Sequence, residues 1–381
     1  MILPGVLYKM ETRKKKISID PVLFVAWVLA IISAFFVHPD KEYPGYIDFR
    51  SLGILWGLMV IIQGFRENSV FEKIGSFLLA RVKKSWQLAA VLIFMCFFGS
   101  MLITNDVALI TFVPFGIMIL NGCKRQDMMI PVIVLQTIAA NLGSMLTPIG
   151  NPQNLYIYGL TGMGLGQFIL TLLPFSVLAL VLLLISLFII PKRSEALENS
   201  KDSHITSNFG SKRQIIIYAV LFAIALLTVV RVIPWYVFAL IVLIIVAGMD
   251  YKILLRADYI LLLTFIGFFI FTGNIARIEA VSEFLRTVID DREFLLSVVV
   301  SQFISNVPAT LMLSGFTDNY TELLRGVNVG GLGTLIASMA SLISYKAFSK
   351  DFKDQRGRYL LVFTVMNLVF LAFMLILWLL I

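Results

Sequence analysis

Residues 141–154 read Asn-Leu-Gly-Ser-Met-Leu-Thr-Pro-Ile-Gly-Asn-Pro-Gln-Asn and lie inside a long apolar stretch. The two prolines remove backbone donors and the two glycines loosen a helix, so the stretch predicts a broken helix. Residues 328–338, Asn-Val-Gly-Gly-Leu-Gly-Thr-Leu-Ile-Ala-Ser, resemble it. A broken helix exposes carbonyl groups, which attract cations, and a helix N-terminus, which attracts anions.

The composition indicates that lipid surrounds most of the chain. Of 381 residues, 59% are hydrophobic and 14% are charged, and the mean hydropathy is +0.92. A soluble domain carries roughly 25% charged residues. The net charge of +8 is spread over short runs between apolar stretches, which suits membrane orientation and not nucleic-acid binding. The predicted fold class is therefore an all-α polytopic membrane protein.

Nine stretches are long enough to cross a membrane, which takes about 20 apolar residues. They are 18–38, 50–65, 129–162, 167–191, 214–231, 235–249, 258–275, 325–346 and 358–381. Two further apolar stretches, 86–120 and 293–316, are interrupted by polar residues near the middle. The prediction is about nine transmembrane helices plus two re-entrant hairpins.

Loop charge indicates that both interrupted stretches turn back. With a cytoplasmic N-terminus, an external C-terminus and both stretches treated as re-entrant hairpins, 24 of the 31 Lys and Arg residues lie inside, as the positive-inside rule favours. Both flanks of 86–120 are then internal, and both flanks of 293–316 are external. The 12 or so residues of 293–304 reach only about 18 Å, short of the roughly 30 Å core. One long kinked helix, or an ordinary helical pair, remains the alternative for each stretch.

The same order of features occurs twice, which predicts an inverted-topology repeat. The first repeat is 1–191, with its hairpin at about 86–120 and its broken helix at about 129–162; 192–231 is a basic cytoplasmic loop and a linking helix; the second repeat is 232–381, with its hairpin at about 293–316 and its broken helix at about 325–346. Oppositely oriented repeats typically place broken helices and the substrate at the bilayer midplane. Chance similarity between apolar segments is the alternative.

The hairpin tips offer ligands for a hard cation. Asn105 and Asn306 supply amide oxygens, and Thr104 and Ser305 add hydroxyl groups. Sodium at Asn105 and at Asn306 is the resulting prediction. Alternatively, these residues only join helices by hydrogen bonds, as small and amide residues often do in membranes.

Asp106 is the one acidic residue deep within an apolar stretch. A charge there costs at least about 2.5–3.5 kcal/mol, so we expect it to take a proton or to balance a bound cation. A structural carboxyl paired at the turn is the alternative. No fully intramembrane Arg or Lys is evident to hold an anion.

Enzyme motifs are missing from the sequence. It contains no H-E-x-x-H and no G-x-S-x-G, and its two histidines lie far apart. We therefore expect no enzymatic activity and no cofactor beyond a sodium ion or proton as the coupling ion.

From about residue 50 to the end, the chain resembles the ion transporter superfamily. That superfamily includes sodium-coupled dicarboxylate and citrate transporters, arsenite permeases and NhaD-type sodium/proton antiporters. The resemblance is most specific at 104–106, 143–152, 305–306 and 328–338. It implies an elevator mechanism in a homodimer, with cation and substrate sites at the tips and broken helices.

Transferred by position, the resemblance and the reasoning above give two sets of expected site residues. The cation-binding set is Thr104, Asn105, Asp106, Gly143, Ser305, Asn306 and Gly330, and the substrate-binding set is Asn141, Ser144, Thr147, Pro148, Asn151, Asn328, Gly331 and Thr334. Where the dicarboxylate transporters have a threonine at the third tip position, this chain has Asp106 and Val307. That departure favours the arsenite-permease and antiporter branch.

The sequence thus predicts a secondary active transporter in the cell membrane that moves a small anionic solute. The solute would be citrate-like, a dicarboxylate or an inorganic oxyanion, coupled to sodium or protons by symport or antiport. A sodium/proton antiporter without an organic substrate is one alternative. A passive ion channel is another.

Overall fold

In the computed structural model of the chain, residues 20–197 and 210–381 are described, and all helices and turns quoted below come from these two segments. The basic N-terminal residues, and residues 198–209 of the basic loop predicted within 192–231, lie outside them. Within the described segments no β-strand forms, and only one isolated bridge pairs Lys84 with Ala196.

Eighteen α-helices and three single 3-10 turns make up the described regular structure. The helices are α1 Pro21–Phe36, α2 Tyr43–Tyr46, α3 Phe49–Glu67, α4 Val70–Leu79, α5 Ser85–Ile103, α6 Asn105–Gly122, α7 Met129–Ser144, α8 Pro152–Thr161, α9 Leu165–Ser186, α10 Lys212–Val229, α11 Trp235–Leu254, α12 Tyr259–Ala276, α13 Glu279–Ile289, α14 Glu293–Ile304, α15 Asn306–Leu313, α16 Tyr320–Val329, α17 Met339–Asp351 and α18 Arg356–Leu380.

The helix lengths confirm a polytopic membrane protein. Eight helical segments among the described residues are long and apolar enough to cross a membrane: α5, α6, Gln126–Ser144 (which includes α7), Leu165–Ile189 (α9), α10, α11, α12 and Lys353–Leu380 (α18). Large apolar side chains on the outer faces are exposed, including Phe35, Phe36, Leu379 and Leu380. Exposure of this extent suits contact with lipid.

The two hairpins differ in the length of their arms. α14 and α15 have 12 and 8 residues, or about 18 and 12 Å at 1.5 Å per residue, too short to cross. α5 and α6 have 19 and 18 residues, about 28 Å each, so either arm is long enough to be a complete span. Short arms therefore support re-entry for the second hairpin only.

The second broken helix is longer than the apolar stretch that predicted it. The prediction was 325–346, whereas α16 begins at Tyr320 and α17 ends at Asp351. Asn319 caps α16 by accepting a hydrogen bond from the Glu322 amide at 3.3 Å. The added turns contain charged residues, Glu322 in α16 and Lys350 in α17, and a prediction from hydropathy leaves such turns out of the span.

Seven elements occur twice in the same order, as α3–α9 and as α12–α18. Each series has a long helix, a short amphipathic helix, two hairpin arms, two halves of a broken helix and a final long helix. α4 and α13 are the amphipathic helices, and they lie within the charged segments that precede each predicted hairpin. The twofold order supports the predicted repeat.

The predicted repeats 1–191 and 232–381 pack against each other. α1 of the first packs against α12 of the second, and α11 of the second packs against α3 of the first. In the first pair the Trp27 indole N–H donates to the Leu263 carbonyl at 3.1 Å. Each half therefore packs against helices of the other half.

Polar contacts connect loops at the same predicted side of the membrane. Arg277, after α12, pairs with Asp40, after α1, at 2.7 Å, and this hydrogen bond holds the pKa of the Asp40 carboxyl below its usual value. At the other end, Arg125 donates to the Ser85 hydroxyl and to the Pro191 carbonyl. The two ends of the first hairpin therefore lie together.

Candidate functional site

Both hairpins reverse direction through the same unusual backbone conformation. Thr104, between α5 and α6, has φ 67° and ψ 151°. Ser305, between α14 and α15, has φ 74° and ψ 152°. Residues other than glycine rarely adopt this region, which costs on the order of 1–3 kcal/mol. Directly after this turn, α6 begins at Asn105 and α15 begins at Asn306.

Each tip is hydrogen bonded to the broken helix of its own series. The Asn105 amide donates to the Gly150 carbonyl at 3.0 Å, and the Asn306 amide donates to the Ala337 carbonyl at 3.0 Å. Gly150 and Ala337 lie in the non-helical breaks between α7 and α8 and between α16 and α17. Hairpin tip and helix break therefore form one unit in each half.

Long amide side chains satisfy the carbonyl groups that the breaks expose. Asn154 donates to the carbonyls of Met145 at 2.9 Å and Thr147 at 3.1 Å. In the other half, Gln302 donates to the carbonyls of Gly330 at 3.1 Å and Leu332 at 2.9 Å. Irregular backbone at membrane depth requires such partners. The breaks are thus stable features and not frayed helix ends.

Asn328 and Asn141 each form hydrogen bonds with residues at the helix break of the other half. Asn328 of α16 donates to the Asn154 side-chain oxygen at 2.7 Å and accepts from Asn151 at 3.0 Å. Asn141 of α7 accepts from the Ser338 hydroxyl at 2.9 Å. It also accepts from the side-chain amide of Asn105 at 3.3 Å. We call this reciprocal set the amide lock: Asn105, Asn141, Asn151, Asn154, Asn328 and Ser338.

A cavity of about 280 Å³ lies beside the amide lock and touches both hairpin tips. Its lining includes Asn105, Asp106 and Asn306 of the tips, together with Ser338 immediately before α17. Asp258, also lining it, precedes α12 in a loop that charge predicts to be cytoplasmic. The cavity therefore extends from the tips toward the predicted cytoplasmic side.

Asp106 sits in the first turn of α6 and lines this cavity. Its side chain is half-buried, and the described residues provide no hydrogen bond to its carboxylate. The positive end of the α6 dipole favours a negative charge at this position. The structural alternative, a carboxyl paired at the turn, has no support among the described contacts. Asp106 and the amide oxygens of Asn105 and Asn306 are hard ligands that suit sodium.

Three of the fifteen predicted site residues line the cavity, namely Asn105, Asp106 and Asn306. The predicted substrate residues Asn141, Asn151 and Asn328 are members of the amide lock and are absent from the cavity lining. Ser144 supports them, since its hydroxyl accepts from Asn151 at 3.3 Å.

The other four predicted substrate residues lie within the two helix breaks. Thr147 donates to the Met101 carbonyl at 2.5 Å. Thr334 is exposed and donates to the Gln302 carbonyl at 2.9 Å. Pro148 is buried within the first break. Gly331 is also buried, and its carbonyl accepts from Asn141 at 3.5 Å.

Gly143 is helical and permits close packing, contrary to the expectation that it loosens α7. A Cβ there would overlap the Phe97 carbonyl oxygen of α5. Gly330 has the equivalent position in the second half, where a Cβ would lie 2.8 Å from the Ser301 hydroxyl. The first break begins only after Ser144. Both glycines therefore bring the broken helices against the hairpins.

The sequence reasoning missed Lys346, Asp258 and Asp20, which all line the cavity. Lys346 lies in α17 and is exposed, so it lies outside the expectation that no fully intramembrane Arg or Lys holds an anion. Lys346 lies eight residues after Ser338, so both are on one helical face. That spacing was the available signal.

On the opposite side of the tips, arginines connect helix ends. Arg231 donates to the Tyr158 carbonyl at 2.8 Å and to the Gly162 carbonyl at 2.6 Å, at the end of α8. Arg50 of α3 donates to the Val229 carbonyl of α10 at 3.3 Å. These contacts connect the ends of α3, α8 and α10.

Comparisons with known proteins agree with the fold and the motifs. The profile of the family described as "Citrate transporter" (CitMHS) matches residues 10–320. The chain is 32% identical over 351 residues to an uncharacterized transporter of Methanocaldococcus jannaschii, covering 91% of this chain and 94% of that protein. It is 30% identical over 325 residues to the inner membrane protein YbiR of Escherichia coli, covering 83% and 84%.

A shorter match is 29% identical over 138 residues to the silicon efflux transporter LSI3 of Oryza sativa, covering 36% of this chain and 28% of that protein. A further match, 24% identical over 185 residues, is to the putative transporter arsB of Dictyostelium discoideum, covering 47% of this chain and 31% of that protein. These matches confirm the resemblance to the ion transporter superfamily.

Proposed function

Because this chain belongs to the citrate transporter (CitMHS) family, we propose that it is a secondary active transporter of a small anionic solute, coupled to sodium or protons. The observation that carries the proposal is the cavity at which both hairpin tips meet. It offers amide oxygens and the Asp106 carboxylate at the tips for a cation, and helix N-termini for an anion.

The coupling site in this proposal is Asn105, Asp106 and Asn306. The Asp106 carboxylate binds the coupling cation or proton, and its neutralisation allows an anion to bind nearby. Direct contact between an unneutralised carboxylate and a polyanion is repulsive. Anion binding should therefore depend on the coupling ion. The solute class is a citrate-like carboxylate, a dicarboxylate or an inorganic oxyanion.

The transport cycle in this proposal is an elevator movement within a homodimer in the cytoplasmic membrane, with a cytoplasmic N-terminus. The tip-to-break hydrogen bonds and the amide lock support movement of the hairpins and broken helices as one block. The cavity extends toward the predicted cytoplasmic side, and the arginine contacts connect helix ends on the opposite side of the tips. Both features support an inward-facing state. Native mass spectrometry in detergent tests the dimer directly.

Reconstitution tests the transport function. Purified protein in liposomes receives an inward sodium or proton gradient, and uptake of labelled citrate, succinate and phosphate is followed. We expect saturable accumulation above equilibrium that ionophores abolish. Current with a fixed reversal potential, and no accumulation, would instead identify a channel.

A sodium/proton antiporter without an organic substrate is the second candidate. The observation that favours it is the Asp106 carboxylate, which has no hydrogen bond among the described residues and faces the cavity. Proton flux driven by sodium in the absence of any of the three anions would select this candidate. Asp106→Asn should abolish that flux.

A further inference from the structure

Lys346 supplies the only basic side chain among the described residues that line the cavity. Three carboxylates line it as well, from Asp20, Asp106 and Asp258. Lys346 is exposed, and none of the described carboxylates lies within ion-pair distance of its ammonium group. Its charge is therefore directed at water and at whatever enters the cavity.

Two of the three carboxylates are already balanced by backbone amides. Asp20 caps α1 and accepts from the Val22 amide at 2.9 Å and the Leu23 amide at 3.2 Å. Asp258 caps α12 and accepts from the Leu261 amide at 3.0 Å. Helix N-termini carry partial positive charge that offsets these carboxylates. Asp106 also lies at a helix N-terminus, but no described residue donates a hydrogen bond to its carboxylate, so Asp106 and Lys346 remain as the less compensated charges of opposite sign.

Lys346 lies in α17, the helix that follows the second break, and one face of this helix lines the cavity. Ser338, Leu342 and Lys346 follow one another at four-residue spacing and all line the cavity. Eight residues of helix separate Lys346 from Ser338 by about 12 Å. Lys346 thus lies two turns from the tips, between them and the predicted cytoplasmic water.

We propose that Lys346 determines charge selectivity, by drawing the anionic solute into the cavity while Asp106 serves the coupling cation. The inference rests on the proposed function, because it assumes that the solute is an anion. A charged group at the entrance of a confined cavity raises the local concentration of the opposite charge by tenfold or more. Lys346 is accordingly a positioning residue for entry and not a ligand at the tips.

The cavity potential can be measured without any solute. Leu342→Cys places a thiol one turn from Lys346, and the native Cys96 and Cys123 are buried, with the unsubstituted protein as the background control. Rates of modification by an anionic and a cationic methanethiosulfonate reagent are compared. Lys346→Gln should lower the anionic-to-cationic rate ratio about tenfold. Lys350→Gln, on the same helix but outside the cavity lining, should leave the ratio unchanged.

Uptake assays then distinguish the inference about Lys346 from the proposed transport function. In citrate uptake from the predicted cytoplasmic side, Lys346→Gln should raise KM about tenfold with little change in the maximal rate, and Lys346→Arg should restore the wild-type KM. Lys350→Gln is the matched control. If wild type accumulates none of the three anions, the proposed function fails, and with it the assignment of an anion to Lys346.

Equal reagent ratios in the Lys346→Gln and Lys350→Gln proteins overturn the inference while leaving the transporter proposal intact. The same holds if Lys346→Gln only lowers thermal stability, because Lys346 would then anchor α17 at the lipid surface.

Discussion

Replacing Asn328 by alanine should destabilise the protein and stop transport together, because Asn328 connects α16 to the first helix break. Its side chain donates to Asn154 at 2.7 Å and accepts from Asn151 at 3.0 Å. Both partners are buried, with 0% and 2% of their surface exposed. Alanine leaves the Asn154 oxygen and one Asn151 donor without their best partner.

The expected loss follows from those two buried groups. An unpaired buried polar group costs about 1–3 kcal/mol in soluble proteins, whereas interhelical hydrogen bonds in membranes average about 0.6 kcal/mol and reach about 1.7. Two groups at about 1–2 kcal/mol each give about 2–4 kcal/mol. Asn367→Ala is the matched control. Asn367 is also fully buried, but its amide donates only to Phe363 of its own helix, so we expect about 1 kcal/mol or less.

The assay is reversible unfolding of the purified protein by SDS in mixed micelles, alongside uptake in liposomes. A double-mutant cycle with Asn154→Ala should show a coupling of about 1–2 kcal/mol, because both single variants remove the same bond. The reasoning is refuted if Asn328→Ala and Asn367→Ala unfold at the same SDS concentration. Additive effects of Asn328→Ala and Asn154→Ala would refute it as well.

Three further predictions concern the first hairpin tip, the packing of α7 against α5, and the ion pair between Asp40 and Arg277. Asp106→Asn should leave the protein folded but remove the sodium or pH dependence of transport; unchanged dependence in flux assays would exclude Asp106 from coupling. Gly143→Ala should cost about 2–4 kcal/mol by overlap with α5, whereas Gly164→Ala, with open space around its Cβ position, should cost under about 1. The Asp40 pKa is lowered by Arg277, so the pair stabilises above the unfolded pKa of Asp40 and is lost as pH falls through the folded value; the melting temperatures of wild type and Asp40→Asn should converge there.

Features that act through the local backbone could be predicted from the sequence. Pro148 and Pro152 mark the first break because proline cannot donate within a helix, and the break lies between Ser144 and Pro152 in the structure. Asn105 and Asn306 mark the two turns because polar residues interrupt apolar stretches there. Such signals depend on a few neighbouring residues, so a single sequence contains them.

Partners from distant parts of the chain could not be predicted. Asn141 bonds to Ser338 across 197 positions, and no local rule distinguishes this from a contact within its own half. Several predicted substrate residues consequently belong to the amide lock. Lys346 was missed for another reason: hydropathy assigns a lysine at the end of a span to the surrounding water, whether or not its side chain borders a cavity.

The reciprocal amide lock also affects the order in which the molecule can be completed during synthesis. Asn151 and Asn154 leave the ribosome more than 170 residues before Asn328, their shared partner. The first half must therefore enter the membrane while these two side-chain amides are hydrogen bonded to water or to the insertion machinery. The amide lock can form only after α16 has been inserted. Truncated chains ending before residue 328 should therefore remain bound to insertion factors or be degraded.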